Sequence, residues 1–179
     1  SILAMESADS IRSLYRHFLS GITQKSLNAF YYACSYAKAD CLRFMNVTAA
    51  MALKIIPQNL ASQPVFLCID DTMAAKSGKK FEDVSKLFDH AAHNGSNYMN
   101  GHCFVSVMLC VPVWNKNRVH YLSVPPGCRM WQKKESRLEL AASMVRQVMP
   151  EFKTMKNVIL LCDSWYVKKN LVSIVDEYE

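Results

Sequence analysis

Two five-residue apolar runs, Val65-Phe66-Leu67-Cys68-Ile69 and Val158-Ile159-Leu160-Leu161-Cys162, each end in an aspartate, Asp70 and Asp163. A short continuous apolar run of this kind reads as a strand buried on both faces. Between them lies the clearest helical pattern of the chain, Ser136 to Met149. Its residues Leu138, Ala141, Val145 and Val148 form one apolar stripe, and Pro150 ends it. A helix between two strands makes a crossover, so the second strand can lie parallel to the first. As neighbours, the two strands would deliver Asp70 and Asp163 side by side at one edge of the sheet, where open α/β sheets bind their ligands.

The rest of the chain divides near residue 60 into a helical N-terminal region (1–60) and an α/β core (61–179). Ile11, Leu14, Tyr15, Phe18 and Leu19 share one helix face, with Ser10 to cap it and Gly21 to end it. Leu27, Phe30, Tyr31 and Cys34 repeat the pattern behind Ser26, and a third helical stretch runs from Asn46 to Ile56 and stops at Pro57. Beyond Asp70-Asp71-Thr72, residues 73–100 are polar and read as an irregular excursion. Cys103 to Val113 and Arg118 to Val124 read as two strands joined at Asn115-Lys116-Asn117, and Pro125-Pro126-Gly127 breaks the second. A last helix covers Trp165 to Tyr178. The expected fold is α/β, a mixed sheet with flanking helices behind a small helical region.

Composition narrows the classes. No apolar run approaches the roughly 18–20 residues of a membrane span, and Ser1 to Asp9 lacks the basic-then-apolar layout of a signal peptide. Seven cysteines without a Cys-x-x-Cys pair suit a reducing cytoplasm, with no membrane partner. The formal net charge is +6. From Lys116 to Arg137 six bases (Lys116, Arg118, Arg129, Lys133, Lys134 and Arg137) face a single acid, Glu135, and are interleaved with Tyr121 and Trp131. Bases neutralise phosphates and aromatic rings stack on nucleobases, so the segment suits nucleic acid; a solvated basic hairpin and helix start would look the same.

Two carboxylates at adjacent strand ends are hard-oxygen ligands of the kind Mg²⁺ accepts together with substrate phosphates. Two metals can activate an attacking oxygen and stabilise the leaving oxygen of a phosphodiester. Taken singly, each aspartate has a plainer reading. Asp163-Ser164 would cap the last helix, and Asp70-Asp71 would be a solvated strand end.

The strings Phe66-Leu67-Cys68-Ile69-Asp70-Asp71-Thr72, Asn100-Gly101-His102-Cys103-Phe104-Val105 and Leu160-Leu161-Cys162-Asp163-Ser164-Trp165-Tyr166 resemble bacterial insertion-sequence transposases of the DDE (Asp-Asp-Glu) cut-and-paste type, which have an RNase H-like core. The resemblance covers Pro64 onward. It implies an RNase H-like mixed sheet and metal-dependent strand cleavage at transposon ends. Strand transfer into target DNA by direct attack of a 3′-hydroxyl would follow. It implies Asp70 and Asp163 as catalytic metal ligands at the ends of the first and fourth strands, with Mg²⁺, or Mn²⁺ in its place. Asp71 competes for the first position, but the family pattern is Asp, one variable residue, then Thr, which selects Asp70. Thr72, through its hydroxyl, and His102 are the expected site-shaping residues. Lys76, Lys79 and Lys80, beside Gly78, join the basic segment as expected DNA contacts. The implied partners are transposon-end and target DNA, with a homodimer assembled on paired ends.

The family's third acid, a Glu in a Tyr-Arg-Glu-Lys signature well downstream of the second Asp, has no match. Glu135 and Glu139 precede Asp163, while Glu177 and Glu179 follow it closely without the signature. The third ligand is expected beyond residue 179, and the chain is expected to bind metal weakly and to cleave no transposon end alone. Other chemistry fits less well. Asp89-His90-Ala91-Ala92-His93 lacks the paired ligand spacing of structural zinc, and Gly78 lacks the Gly-x-x-x-x-Gly-Lys-Ser/Thr spacing of a phosphate loop. Cys68 and Cys162 read as core thiols. Two alternatives stay open: an Mg²⁺-dependent aspartyl-phosphate phosphatase or receiver-like domain, and a non-catalytic DNA-binding module with structural aspartates.

Overall fold

A computed structural model describes residues 10–36, 38, 40–77, 81–88, 97–155 and 157–178. Lys79, Lys80, His90 and His93 lie outside the described residues. The chain forms two compact units, Ser1–Asp40 and Cys41–Glu179. In the first, α1 (Ile11–Leu14) passes through a π-helical turn (Tyr15–Leu19) into α2 (Ser20–Ile22), and α3 (Leu27–Tyr36) follows. Ser10 caps α1 by accepting from the Ser13 amide at 3.1 Å, and the rings of Tyr15 and Phe30 meet at 5.7 Å.

The second unit holds a five-stranded mixed sheet. Its strands are β1 (Val65–Ala75), β2 (Ser85–Phe88), β3 (Tyr98–Asn115), β4 (Arg118–Met130) and β5 (Val158–Cys162). β3 is the long antiparallel spine, with β1 along one edge and β2 and β4 in succession along the other. β5 joins β1 in parallel, so the order across the sheet is β2-β3-β1-β5. The crossover helix α5 (Arg137–Val148) makes that parallel pairing reachable. A capping box starts it: the Ser136 hydroxyl accepts from the Glu139 amide at 3.1 Å, and the Glu139 carboxylate accepts from the Ser136 amide at 2.7 Å. That backbone hydrogen bond also holds the Glu139 carboxyl below its ordinary pKa.

The β3–β4 hairpin turns on Lys116 and Asn117, both with positive φ (47° and 61°), as a tight two-residue connection demands. Pro125-Pro126-Gly127 does not break β4. The register shifts between Val107 and Leu109 of β3, so the prolines are absorbed in an irregularity and pairing resumes. Gly127 is needed there because a Cβ would fall 2.5 Å from Met45 Cγ. The polar stretch after Asp71 is more regular than its composition indicates. β1 continues to Ala75, and β2 extends the far edge.

The apolar runs are covered on one face only. Val65, Leu67 and Ile69 are buried in the core, whereas Phe66 and Cys68 are half-exposed, and Ile159 and Leu161 of β5 are exposed. One cluster joins the buried face to α4 (Cys41–Lys54), α5 and α6 (Lys169–Tyr178) through Met45, Ala49, Leu140, Met144, Leu171 and Ile174. The third helical stretch, grouped by sequence with the N-terminal region, thus belongs to the sheet unit, and the division falls at Asp40/Cys41. Gln147 Nε2 donates to Asn46 Oδ1 at 3.2 Å, tying α5 to α4. No helix among the described residues is long and apolar enough to cross a membrane.

If α4 is part of this core, adjacent substitutions in it will differ sharply. Met45→Ala should cost about 2–5 kcal/mol in urea denaturation, as buried methionines do. Phe44→Ala, at an exposed position, should stay within about 0.5 kcal/mol.

Candidate functional site

The parallel ladder between β1 and β5 ends with the pair Ile69 and Cys162. The next residues are Asp70 and Asp163, and both are exposed. Side chains alternate along a strand. Phe66, Cys68 and Asp70 of β1 therefore share the open face with Ile159, Leu161 and the following Asp163 of β5. Asp70 Oδ1 accepts from the Asp71 amide at 2.8 Å, and Asp163 Oδ1 accepts from the Ser164 hydroxyl at 3.0 Å. Among the described residues no hydrogen bond engages Oδ2 of either carboxylate. Asp163 stands at the cap position of the turn Ser164–Tyr166, but its side chain makes no capping bond, so capping does not account for it. The Ser106 hydroxyl donates to the Asp70 carbonyl at 3.2 Å and fixes the backbone opposite.

Asp71 turns the other way, with Leu67 and Ile69, toward the helices. Its Oδ2 accepts from Arg137 Nη1 at 2.5 Å and from the Cys103 thiol at 3.3 Å. Arg137 also lies over the Trp165 ring, its Cζ 4.7 Å from the centroid. Trp165 in turn meets Tyr166 edge-on at 5.0 Å. Burial works to lower the Arg137 pKa, but the Asp71 hydrogen bond and charge override it and hold the guanidinium above its ordinary value. Burial, and then Asp71, push the Cys103 thiol up to about 11. Tyr166 is buried, among the described residues its hydroxyl makes no hydrogen bond of good geometry, and burial followed by the Asp71 charge raises its pKa.

The expected site residues thus separate. Thr72 is exposed and, two residues on from Asp70, shares its face. His102 pairs with Ala74 and its Nε2 lies 2.8 Å from the Glu82 carbonyl oxygen, beyond Thr72 along the strand. Lys76 sits over the Phe81 ring at 5.7 Å, past the end of β1. Lys116 and Arg118 crown the hairpin, which rises from the end of β3 roughly 30 Å from Ser106 at ordinary strand rise. Arg129, opposite Val105, stands on the helix-covered face with Asp71, engaged with Ser143 (3.1 Å) and Glu135 (3.7 Å). Lys133 and Lys134 are exposed in the turn before α5. Arg137, expected to face DNA, is committed to Asp71 and Trp165. Sequence reading also passed over Cys103, Trp165 and Tyr166. The available signal was parity: Asp71 falls in step with Leu67 and Ile69, and a carboxylate on a helix-covered face requires a cation.

Among the described residues no group of three or more His, Cys, Asp or Glu side chains is placed to hold a metal. Asp70 and Asp163 occupy neighbouring positions just past the last bonded pair of β1 and β5, and Mg²⁺ takes one or two carboxylates when waters and phosphates complete its shell. Their exposure and open Oδ2 atoms fit such an ion. Comparison of the chain with protein-family models, curated proteins and solved structures finds no match in any of the three.

Neighbouring substitutions should separate the two aspartates by stability. Asp71→Asn, which leaves Arg137 without its anion, should cost about 1–3 kcal/mol in urea denaturation. Asp70→Asn, at an exposed position, should stay within about 0.5 kcal/mol.

Proposed function

We propose that the chain carries the RNase H-like catalytic core of a DDE transposase, with Asp70 and Asp163 as its first two metal ligands. The observation that carries this reading is the register. The two aspartates directly follow the last bonded pair of adjacent parallel strands, on the same open face. A central strand with an antiparallel neighbour on one side and a parallel one on the other supports it further over an all-parallel receiver-like sheet. The short strand β2 makes Asp163 follow the fifth strand, where the family resemblance implies the fourth.

In this reading Asp70 and Asp163 hold Mg²⁺ or Mn²⁺ through their open oxygens. Bound there, the metal would activate the attacking oxygen and stabilise the leaving oxygen of a phosphodiester. The protein's own part is orientation. The Asp71 amide and the Ser164 hydroxyl each fix one oxygen of a carboxylate and aim the other outward. Lys133 and Lys134, exposed in the turn before α5, meet backbone phosphates in this reading. The substrates are transposon-end and target DNA, the working form is a homodimer on paired ends, and the compartment is the cytoplasm.

The test is Mn²⁺ binding by calorimetry together with a DNA gel shift. Asp70→Asn and Asp163→Asn should each weaken Mn²⁺ at least tenfold, about 1.4 kcal/mol, and leave DNA binding unchanged. Parental Mn²⁺ affinity in both variants would sink the reading. The double substitution Lys133→Ala and Lys134→Ala should weaken DNA of any sequence and flatten the salt dependence of binding by about two phosphate contacts.

A further inference from the structure

We infer that Arg137 is a positioning residue that locks together the two segments bearing Asp70 and Asp163. This rests on the reading that those aspartates share a metal.

The backbone ladder between β1 and β5 stops at Ile69 and Cys162, one residue short of the carboxylates. Beyond that pair, side chains must set the distance between the segments. Arg137 touches both. Its Nη1 bonds Asp71, the residue after Asp70, and its Cζ lies over the ring of Trp165, two residues after Asp163.

Each end of this bridge is itself braced. Asp71 Oδ2 also accepts from Cys103 of β3, and Trp165 packs edge-on against the buried Tyr166. Arg137 is the first residue of α5, directly after the Ser136 capping box, so its backbone is fixed as well. Arginine suits the position for a stated reason. Its planar fork can bond a carboxylate along its edge while its face stacks on an aromatic ring; a lysine ammonium offers only a point charge. The bridge runs on the helix-covered face and the candidate metal oxygens on the open one. Arg137 therefore acts through the backbone of both segments and does not touch the ion.

The sign of the effect distinguishes this role from plain electrostatics. Removing a cation near a metal site should tighten metal binding if charge alone matters. It should also tighten binding if Asp71 is the true ligand, held back by its arginine. Removing a positioning residue should weaken it. By calorimetry on the whole chain, with Mn²⁺ as the probe, Arg137→Gln is expected to bind about tenfold more weakly. Arg137→Lys, which keeps the charge, should recover little of this. Trp165→Ala should weaken Mn²⁺ comparably and Trp165→Phe should restore most of the affinity. The combined variant Arg137→Gln with Trp165→Ala should be no worse than either alone, because both break one bridge.

Should Arg137→Gln fail to fold, the Trp165 pair decides the matter, since that ring is 42% exposed and contributes little to the core. Mn²⁺ affinity equal to or tighter than the parent's in folded Arg137→Gln overturns the inference, as does Trp165→Ala with parental affinity. Its failure is distinct from failure of the metal reading. In the first case Asp70→Asn and Asp163→Asn still lose Mn²⁺; in the second they do not.

Discussion

The sheet unit depends on one placement: β1 lies between an antiparallel neighbour and a parallel one. A hairpin-type connection suffices for the first, but the second requires the chain to cross a face of the sheet, and α5 makes that crossing. The crossing decides which face becomes core. Val65, Leu67 and Ile69, with Val105, Val107, Leu109 and Val111 of β3, go under the helices, almost fully buried. Each such side chain contributes about 1.5–3 kcal/mol. The opposite face keeps Phe66, Cys68 and Met108 half-exposed, with Phe66 against the Tyr121 ring at 5.0 Å.

The same division gives adjacent aspartates different chemistry. Asp70 faces outward with water to solvate it. Asp71, turned toward the helices, is drawn into a partly buried pair that is stable because both charges are bonded and Cys103 adds a further donor. Such a pair gains little over an apolar substitute of equal shape, yet breaking one partner is costly. Its significance is geometric specificity: it sets where β1, α5 and the turn after β5 meet.

Much of this architecture was legible in the chain. The apolar runs, the stripe of α5 with its Ser136 cap and the Asn115-Lys116-Asn117 turn all carry local signals, and the crossover argument followed from their order. The features that escaped are those decided by tertiary neighbours. The continuation of β1 to Ala75 and the existence of β2 rest on pairing with β3, because Ser85-Lys86-Leu87-Phe88 has no strand signature strong enough alone. Pro125-Pro126-Gly127 looked like a stop, but a register shift opposite it lets the strand persist. Helix α4 has the same periodicity as α1 and α3, and only its contacts through Met45, Ala49 and Ala52 assign it to the sheet. At the candidate site, Asp70 and Asp163 were legible because each closes an apolar run, but only Asp163 follows a strand end; Asp70 lies mid-strand, since pairing with β3 carries β1 on to Ala75. Arg137 was misplaced because a basic residue in a basic run gives no sign of which way it points.

The doublet Asp70-Asp71 has a consequence for how this strand tolerates change. Deleting one residue earlier in β1 would shift the strand by one position: Asp71 would take the outward place of Asp70, while Thr72 would take the inward place beside Arg137. The open face would keep a carboxylate, and the arginine would lose its anion. The core would suffer as well: Ile69 would turn out to solvent, and smaller or misfit side chains such as Cys68 would turn inward. Constraint on the reading frame of this strand is therefore exerted from beneath the sheet, by the hydrocarbon and by the partly buried arginine, and the doublet buffers only the solvent side.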